Sequence, residues 1–241
     1  MEKEEAMETM DTRDTREKDN FFYITIATKP HPILDNIKNR VESQSESITI
    51  LGEQENRSIG WQSKGNFGIK LKEVYEFLGR MDLQDNDIVL FTDAYDVIYC
   101  GNREQIIKRF LKFNKPIVFG GEKFCNPDPS RVSEYSDVLN REFPFLNSGL
   151  FIGRVWALRI CMMDYVFDDM HDDQRFWTDR FFQYSDLITL DYDHTIFLNT
   201  VGIPVNEILW NGRHCIYKGR NPQFIHVNGP DKSDLSVFFP R

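Results

Sequence analysis

Asp87-Ile88-Val89-Leu90-Phe91-Thr92-Asp93-Ala94-Tyr95-Asp96-Val97-Ile98 is a strongly apolar run interrupted by two carboxylates, Asp93 and Asp96. A short β-branched and aromatic run without alternation is the pattern of a strand buried on both faces, as in a parallel sheet covered by helices. Open α/β sheets place ligands outside the carboxyl ends of their strands. Asp93 and Asp96 therefore stand where a ligand belongs, and two close carboxylates need a cation or a shared proton to coexist. A divalent metal would tie them to a diphosphate and stabilise the charge that builds on such a leaving group. The plainer reading makes both residues turn formers at a strand end.

The segments on either side repeat the strand and helix pattern. Upstream, Phe21 to Thr28 reads as a buried strand stopped by Lys29-Pro30-His31-Pro32. A polar amphipathic segment runs to about Ser45, and Ile48 to Leu51 forms the next strand. Between these and the central run, the glycine-bearing loop Lys64-Gly65-Asn66-Phe67-Gly68 opens a helix over Ile69 to Leu78. Downstream come a helix over Arg103 to Phe113 and a strand over Pro116 to Gly120. Beyond Pro144 we expect a strand near Leu150-Phe151-Ile152, a helix from Ala157 to about Met170 and another from Asp172 to Tyr184. Strands alternating with helices predict an α/β fold with a Rossmann-like, mostly parallel central sheet. Residues 1–20 hold eight acidic and four basic side chains and almost nothing to bury, so a disordered charged tail is expected there, followed by one domain over 21–241.

The whole-chain numbers exclude more than they assign. With 241 residues, 41% hydrophobic side chains and 20 Phe, the chain has enough apolar material for one full-sized core. A net charge of −9 argues against a nucleic-acid binder, which needs a dense basic face. No stretch approaches the roughly 20 apolar residues that cross a bilayer, and the first residues lack the apolar core of a signal peptide. A soluble, cytoplasmic chain without membrane insertion is the expectation. Cys100, Cys125, Cys161 and Cys215 fall in no metal-binding spacing and are read as free thiols. The sequon Asn56-Arg57-Ser58 is read as chance.

Near the other end of the chain, Phe224-Ile225-His226-Val227-Asn228-Gly229-Pro230-Asp231-Lys232 offers an imidazole, backbone N–H groups on a glycine turn and a cation within a few residues. Together these suit a diphosphate. Two carboxylates and one imidazole favour Mn²⁺ over Mg²⁺, because imidazole is the softer donor. Asp172-Asp173-Gln174 reads as a helix start, where Asp is favoured by capping and by the dipole. A helix N-terminus aimed at a site would equally hold carboxylates that orient a ligand or accept a proton.

Five motifs carry a resemblance: Asp93-Ala94-Tyr95-Asp96-Val97, Glu122-Lys123-Phe124-Cys125-Asn126-Pro127-Asp128, Leu146-Asn147-Ser148-Gly149-Leu150-Phe151-Ile152-Gly153, Asp172-Asp173-Gln174 and His226-Val227-Asn228-Gly229-Pro230. In this order they resemble the glycosyltransferase domain of the collagen lysyl hydroxylases, from Phe21 almost to Arg241. The resemblance implies a GT-A fold and Mn²⁺-dependent transfer from a UDP-sugar. It implies that Asp93, Asp96 and His226 hold the metal, and that Ile26-Ala27-Thr28, Ala94 and Tyr95 meet the uridine. Asn228, Gly229, Pro230 and Lys232 would grip the diphosphate, with Lys70 near the donor. Asn147 would frame the sugar, and Asp172 and Asp173 would lie beside it. The family adds glucose from UDP-glucose to galactosyl-hydroxylysine; UDP-galactose and bare hydroxylysine are the alternative pair, and a non-catalytic sugar-nucleotide scaffold is a third reading. The family is lumenal to the endoplasmic reticulum. This chain departs from it at Asn126, where an aromatic is usual, and in a shorter acidic run. A haloacid-dehalogenase reading fails because those enzymes separate their two Asp residues by one position, and an EF-hand reading of Asp168 to Asp173 lacks the required Gly and Glu.

Overall fold

The computed structural model describes residues 19–60 and 66–239. The first half of the chain forms β1 (Phe21–Ile26), α1 (Pro32–Glu42), β2 (Ile48–Leu51), α2 (Gly68–Leu78), β3 (Ile88–Asp93), β4 (Val97–Tyr99), α3 (Arg103–Phe110) and β5 (Ile117–Glu122). The second half forms β6 (Phe145–Arg154), α4 (Val155–Met162), α5 (Asp173–Gln183), β7 (Ile188–Asp191) and β8 (Phe197–Asn199). It ends with β9 (Leu209–Trp210), β10 (Cys215–Ile216), β11 (Phe224–His226) and α6 (Leu235–Phe238).

A six-stranded sheet runs in the order β2-β1-β3-β6-β5-β7. β1 is parallel to β2 and β3, and β5 is parallel to β7. β6 alone runs antiparallel to both its neighbours. The central run behaves as its composition requires. Ile88 and Leu90 enter one apolar cluster, with Ile33, Ile37 and Val41 of α1 and Ile106 and Phe110 of α3. Val89 and Phe91 enter the other, with Leu71, Val74 and Phe77 of α2 and Trp177 of α5. Successive side chains thus feed opposite layers, as the period of a strand demands. Phe91 stacks on Phe151 at 5.0 Å between ring centres, and Phe119 and Trp177 lie 5.1 and 5.4 Å from rings of the same group. Aromatic pairs of this kind contribute about 1 kcal/mol each beyond their burial.

A second sheet, β4-β11-β8, was not anticipated and does the positioning. β3 leads through Ala94 and Tyr95 directly into β4, and β11 pairs antiparallel with β4, setting His226 opposite Val97. His226 is thereby brought to the end of the central strand.

Four expectations change. The helix expected to reach Met170 stops at Met162. Beyond it Asp168 turns the chain by accepting from the Met170 N–H (2.9 Å), and the Asp169 carbonyl accepts from Gly68 (3.2 Å), so these backbone groups are committed elsewhere. The α3 helix ends at Phe110 rather than Phe113, and β1 ends at Ile26 rather than Thr28. Residues 1–18 of the expected charged tail lie outside the described residues, but Asp19 and Asn20 at its end are bonded to the fold. Asp19 pairs with Arg154 (2.5 Å), and the Asn20 backbone bonds to Asp87 and Ile88 (both 2.8 Å). Lys64 and Gly65 of the expected glycine-bearing loop also lie outside the described residues. All four cysteines are free, Cys125 being only half-buried, and no described helix is long and apolar enough to cross a membrane.

Candidate active site

A cavity of about 530 Å³, within the range that small ligands occupy, opens at the carboxyl end of β3. Asp93, Asp96 and His226 meet in its wall, with one ligand atom from each lying within 4.8 Å of the others. His226 Nε2 is 3.4 Å from Asp96 Oδ2 and 3.8 Å from Asp93 Oδ2. Lys70 Nζ lies 2.6 Å from Asp93 Oδ1, and Lys232 Nζ lies 2.6 Å from Asp96 Oδ2. Burial acts to raise the Asp96 carboxyl, but His226 and Lys232 outweigh it and hold the group well below the usual carboxylate range. Burial acts to lower the Lys70 ammonium, yet Asp173 and Asp93 together push it well above its ordinary value.

The residues present fit a metal. Two carboxylates and an imidazole within reach of one another form a donor set for a divalent metal ion. The backbone also leaves room for the cluster, because position 149 on β6 is glycine. A Cβ there would lie 2.5 Å from His226 Cε1 and 2.7 Å from Asp93 Oδ2.

Asp172 and Asp173, paired in the sequence, both line the cavity but are held by different partners. Asp172 is the N-cap of α5, accepting from the Arg175 N–H at 3.0 Å. Asp173 is buried and turns inward, where its Oδ2 accepts from Ser148 Oγ at 2.9 Å and meets Lys70 Nζ at 3.2 Å. Lys70 thus spans Asp93 and Asp173.

A profile of the PLOD GT domain matches residues 17–239. The chain belongs to that family. Among its relatives are procollagen-lysine,2-oxoglutarate 5-dioxygenase of Drosophila melanogaster, 28% identical over 231 residues, and procollagen-lysine,2-oxoglutarate 5-dioxygenase 2 of Homo sapiens, 29% identical over 232 residues. Each alignment takes in 91% of this chain but only 32% and 31% of the respective relative, so the chain spans about a third of their length. A crystal structure of a glycosyltransferase involved in the glycosylation of the major capsid of PBCV-1 superposes with a TM-score of 0.53, over 91% of this chain and 100% of that one, at 9% identity. The fold is of GT-A type, and this PLOD GT domain is a glycosyltransferase.

Most residues singled out in the PLOD GT domain sequence do line the cavity. Ile26, Ala94, Tyr95 and Asn147 are there, as are Gly229, Pro230 and Lys232. Ala27 and Thr28 are buried and do not line it, because the strand end turns them into the protein. The Tyr95 hydroxyl accepts from the Lys29 N–H (3.0 Å), which fixes the ring beside the turn after β1. Asn228 uses both ends of its amide in the wall. Its Nδ2 donates to Glu122 Oε2 (2.8 Å), and its Oδ1 accepts from the Val201 N–H (3.0 Å).

Glu122 is a site residue that sequence reasoning missed, although it stood inside a quoted motif. It ends β5, is 3% exposed and lines the cavity. Burial pushes its carboxyl up to about 8, against the opposing hydrogen bonds from Asn147 and Asn228. Between the ordinary glutamate value and about 8 the folded protein holds a proton that the unfolded chain has released, so stability falls as pH rises through that window and levels off above it. Each unit of the window is about 1.4 kcal/mol. Glu122→Gln, which cannot ionise, is therefore expected to flatten the fall in denaturant-measured stability between about pH 5 and 8. Parallel curves for the two proteins would show that Glu122 is ionised in the fold.

Proposed function

We propose that this chain transfers a hexose, glucose foremost, from a UDP-sugar to galactosyl-hydroxylysine of collagen or a collagen-like chain, with Mn²⁺ held by Asp93, Asp96 and His226. One observation carries the reading: two carboxylates and an imidazole from distant segments of the sequence converge in a cavity wall with Lys70 and Lys232 beside them. Bound Mn²⁺ would supply a Lewis acid that balances the charge of the UDP leaving group. The chain's own residues do the rest. Lys232, 40% exposed at its side chain, is the cation available to a phosphate. The Tyr95 ring offers a face to the uracil, with Ile26 nearby in the same wall. Asp173, held by Ser148 and Lys70, presents a carboxylate to the sugar hydroxyls or to the acceptor proton. The collagen acceptor is supported by the names of the relatives, which are procollagen-lysine dioxygenases.

Glucose joined in an α linkage from an α-linked donor would require retention at the anomeric carbon, whereas galactose joined in a β linkage to hydroxylysine would require inversion. UDP release measured with UDP-glucose and UDP-galactose, each with and without a galactosyl-hydroxylysine peptide, tests the assignment. Acceptor-stimulated release from UDP-glucose is expected. Stimulation by a bare hydroxylysine peptide with UDP-galactose would select the other pair, and no release from either donor would leave a sugar-nucleotide scaffold.

A further inference from the structure

We propose that Asn199 is a positioning residue that aims the His226 imidazole at the metal position, an inference that rests on the metal reading above. β8 and β11 are parallel neighbours in the small sheet, and Asn199 and His226 are register partners. Side chains at paired positions point to the same face and touch. Accordingly, Asn199 Oδ1 lies 2.8 Å from His226 Nδ1.

Which end of the amide faces the ring is decided by its other end. Asn199 Nδ2 donates to the Gly121 carbonyl at 2.9 Å. A carbonyl oxygen only accepts, so the amide nitrogen must lie on that side and the amide oxygen must face the imidazole. That oxygen also only accepts. His226 Nδ1 therefore carries a hydrogen, and Nε2 is left as the ligand atom, on the side where Asp93 and Asp96 stand. A ring nitrogen held by a neighbouring acceptor is how a protein fixes the tautomer and direction of a ligating histidine.

The Gly121 carbonyl is itself placed by an irregularity. The pairing of β5 with β6 shifts register between Phe119 and Gly120, as a bulge does when it re-aims the backbone. A Cβ at position 120 would stand 2.8 Å from Asn199 Nδ2, so the amide fits because that residue is glycine. Asn199 is fully buried and does not line the cavity. Its influence on the site passes through His226.

The test uses the full chain without donor or acceptor. Binding of Mn²⁺ is followed by the loss of its free-ion EPR signal in wild type, Asn199→Leu and Asn199→Asp, with circular dichroism and melting of the metal-free proteins as the check on folding. Asn199→Leu keeps the volume but removes the acceptor, and its Kd for Mn²⁺ is expected to rise about 10- to 100-fold. Asn199→Asp restores an acceptor for Nδ1 and is expected to recover most of that loss. A folded Asn199→Leu protein that binds Mn²⁺ like wild type would overturn the role. Independently, ¹⁵N NMR of the wild-type, metal-free ring is expected to show a hydrogen on Nδ1, and a ring with hydrogen on Nε2 alone would overturn the proposal even if the variants failed to fold. Absence of Mn²⁺ binding by wild type would refute the metal reading, and the ring spectrum would then decide on Asn199 separately.

Discussion

Chelation is expected to abolish hexose transfer, and Asp93→Ala, Asp96→Ala and His226→Ala are each expected to do the same in proteins that remain folded. Each substitution removes one of three converging ligands, and none touches the apolar layers around β3. The loss should be large because the metal would balance the diphosphate in the transition state. A contribution of several kcal/mol, at about 1.4 kcal/mol per factor of ten, places the effect at roughly a thousandfold or more. The folded state should tolerate the changes, since Asp93→Ala leaves Lys70 with Asp173, and Asp96→Ala leaves Lys232 bonded to the Val227 carbonyl. UDP-sugar turnover with and without chelator, and in the three variants with their melting curves, checks this. Undiminished turnover in chelator, or in any two variants, would remove the metal from the reaction.

The sequence showed which parts of the molecule would be buried and where ligands would sit, but not how the strands are directed. The run Ile88 to Thr92 declared a strand covered on both faces, and its two acids marked the ligand end. An apolar run carries no direction, however. Leu150-Phe151-Ile152 could be read as a strand while its reversal, which brings Gly149 against His226, could not. The small sheet was hidden for another reason. β4, β8 and β11 are three residues each, too short to show a period, so nothing local announced that Asn199 and His226 would be neighbours. Residues 163–172 misled because apolar side chains at helical spacing continue past Met162, several of them exposed, while the backbone leaves the helix at Met163 and turns again at Asp168. Glu122 escaped for want of any sequence signal that separates a buried acid from a solvated one. Its burial depends on Asn147 and Asn228, which reach it from other strands and loops.

Asp173→Asn is expected to give a folded, UDP-binding protein whose turnover falls at least roughly a hundredfold, the lower scale for a group that moves a proton or orients one. The two adjacent acids provide the control. Asp172 caps α5, and Asn caps about as well as Asp, so Asp172→Asn should leave both stability and turnover nearly unchanged. Asp173 occupies the first helical turn, but its carboxylate is oriented at the cavity wall by Ser148 Oγ and Lys70 Nζ, both on Oδ2. An amide at position 173 could still accept from Ser148, yet it would lack the charge that holds Lys70 and that can take a proton from an acceptor hydroxyl. UDP affinity should survive, because Lys70 keeps Asp93 and Lys232 keeps its place at the other side of the metal cluster. Turnover and UDP binding measured for both single variants and for the double variant separate the roles. Normal turnover in all three would leave Asp173 as a helix-start residue and send the search for the catalytic carboxylate elsewhere in the cavity, with Glu122 the next to be changed.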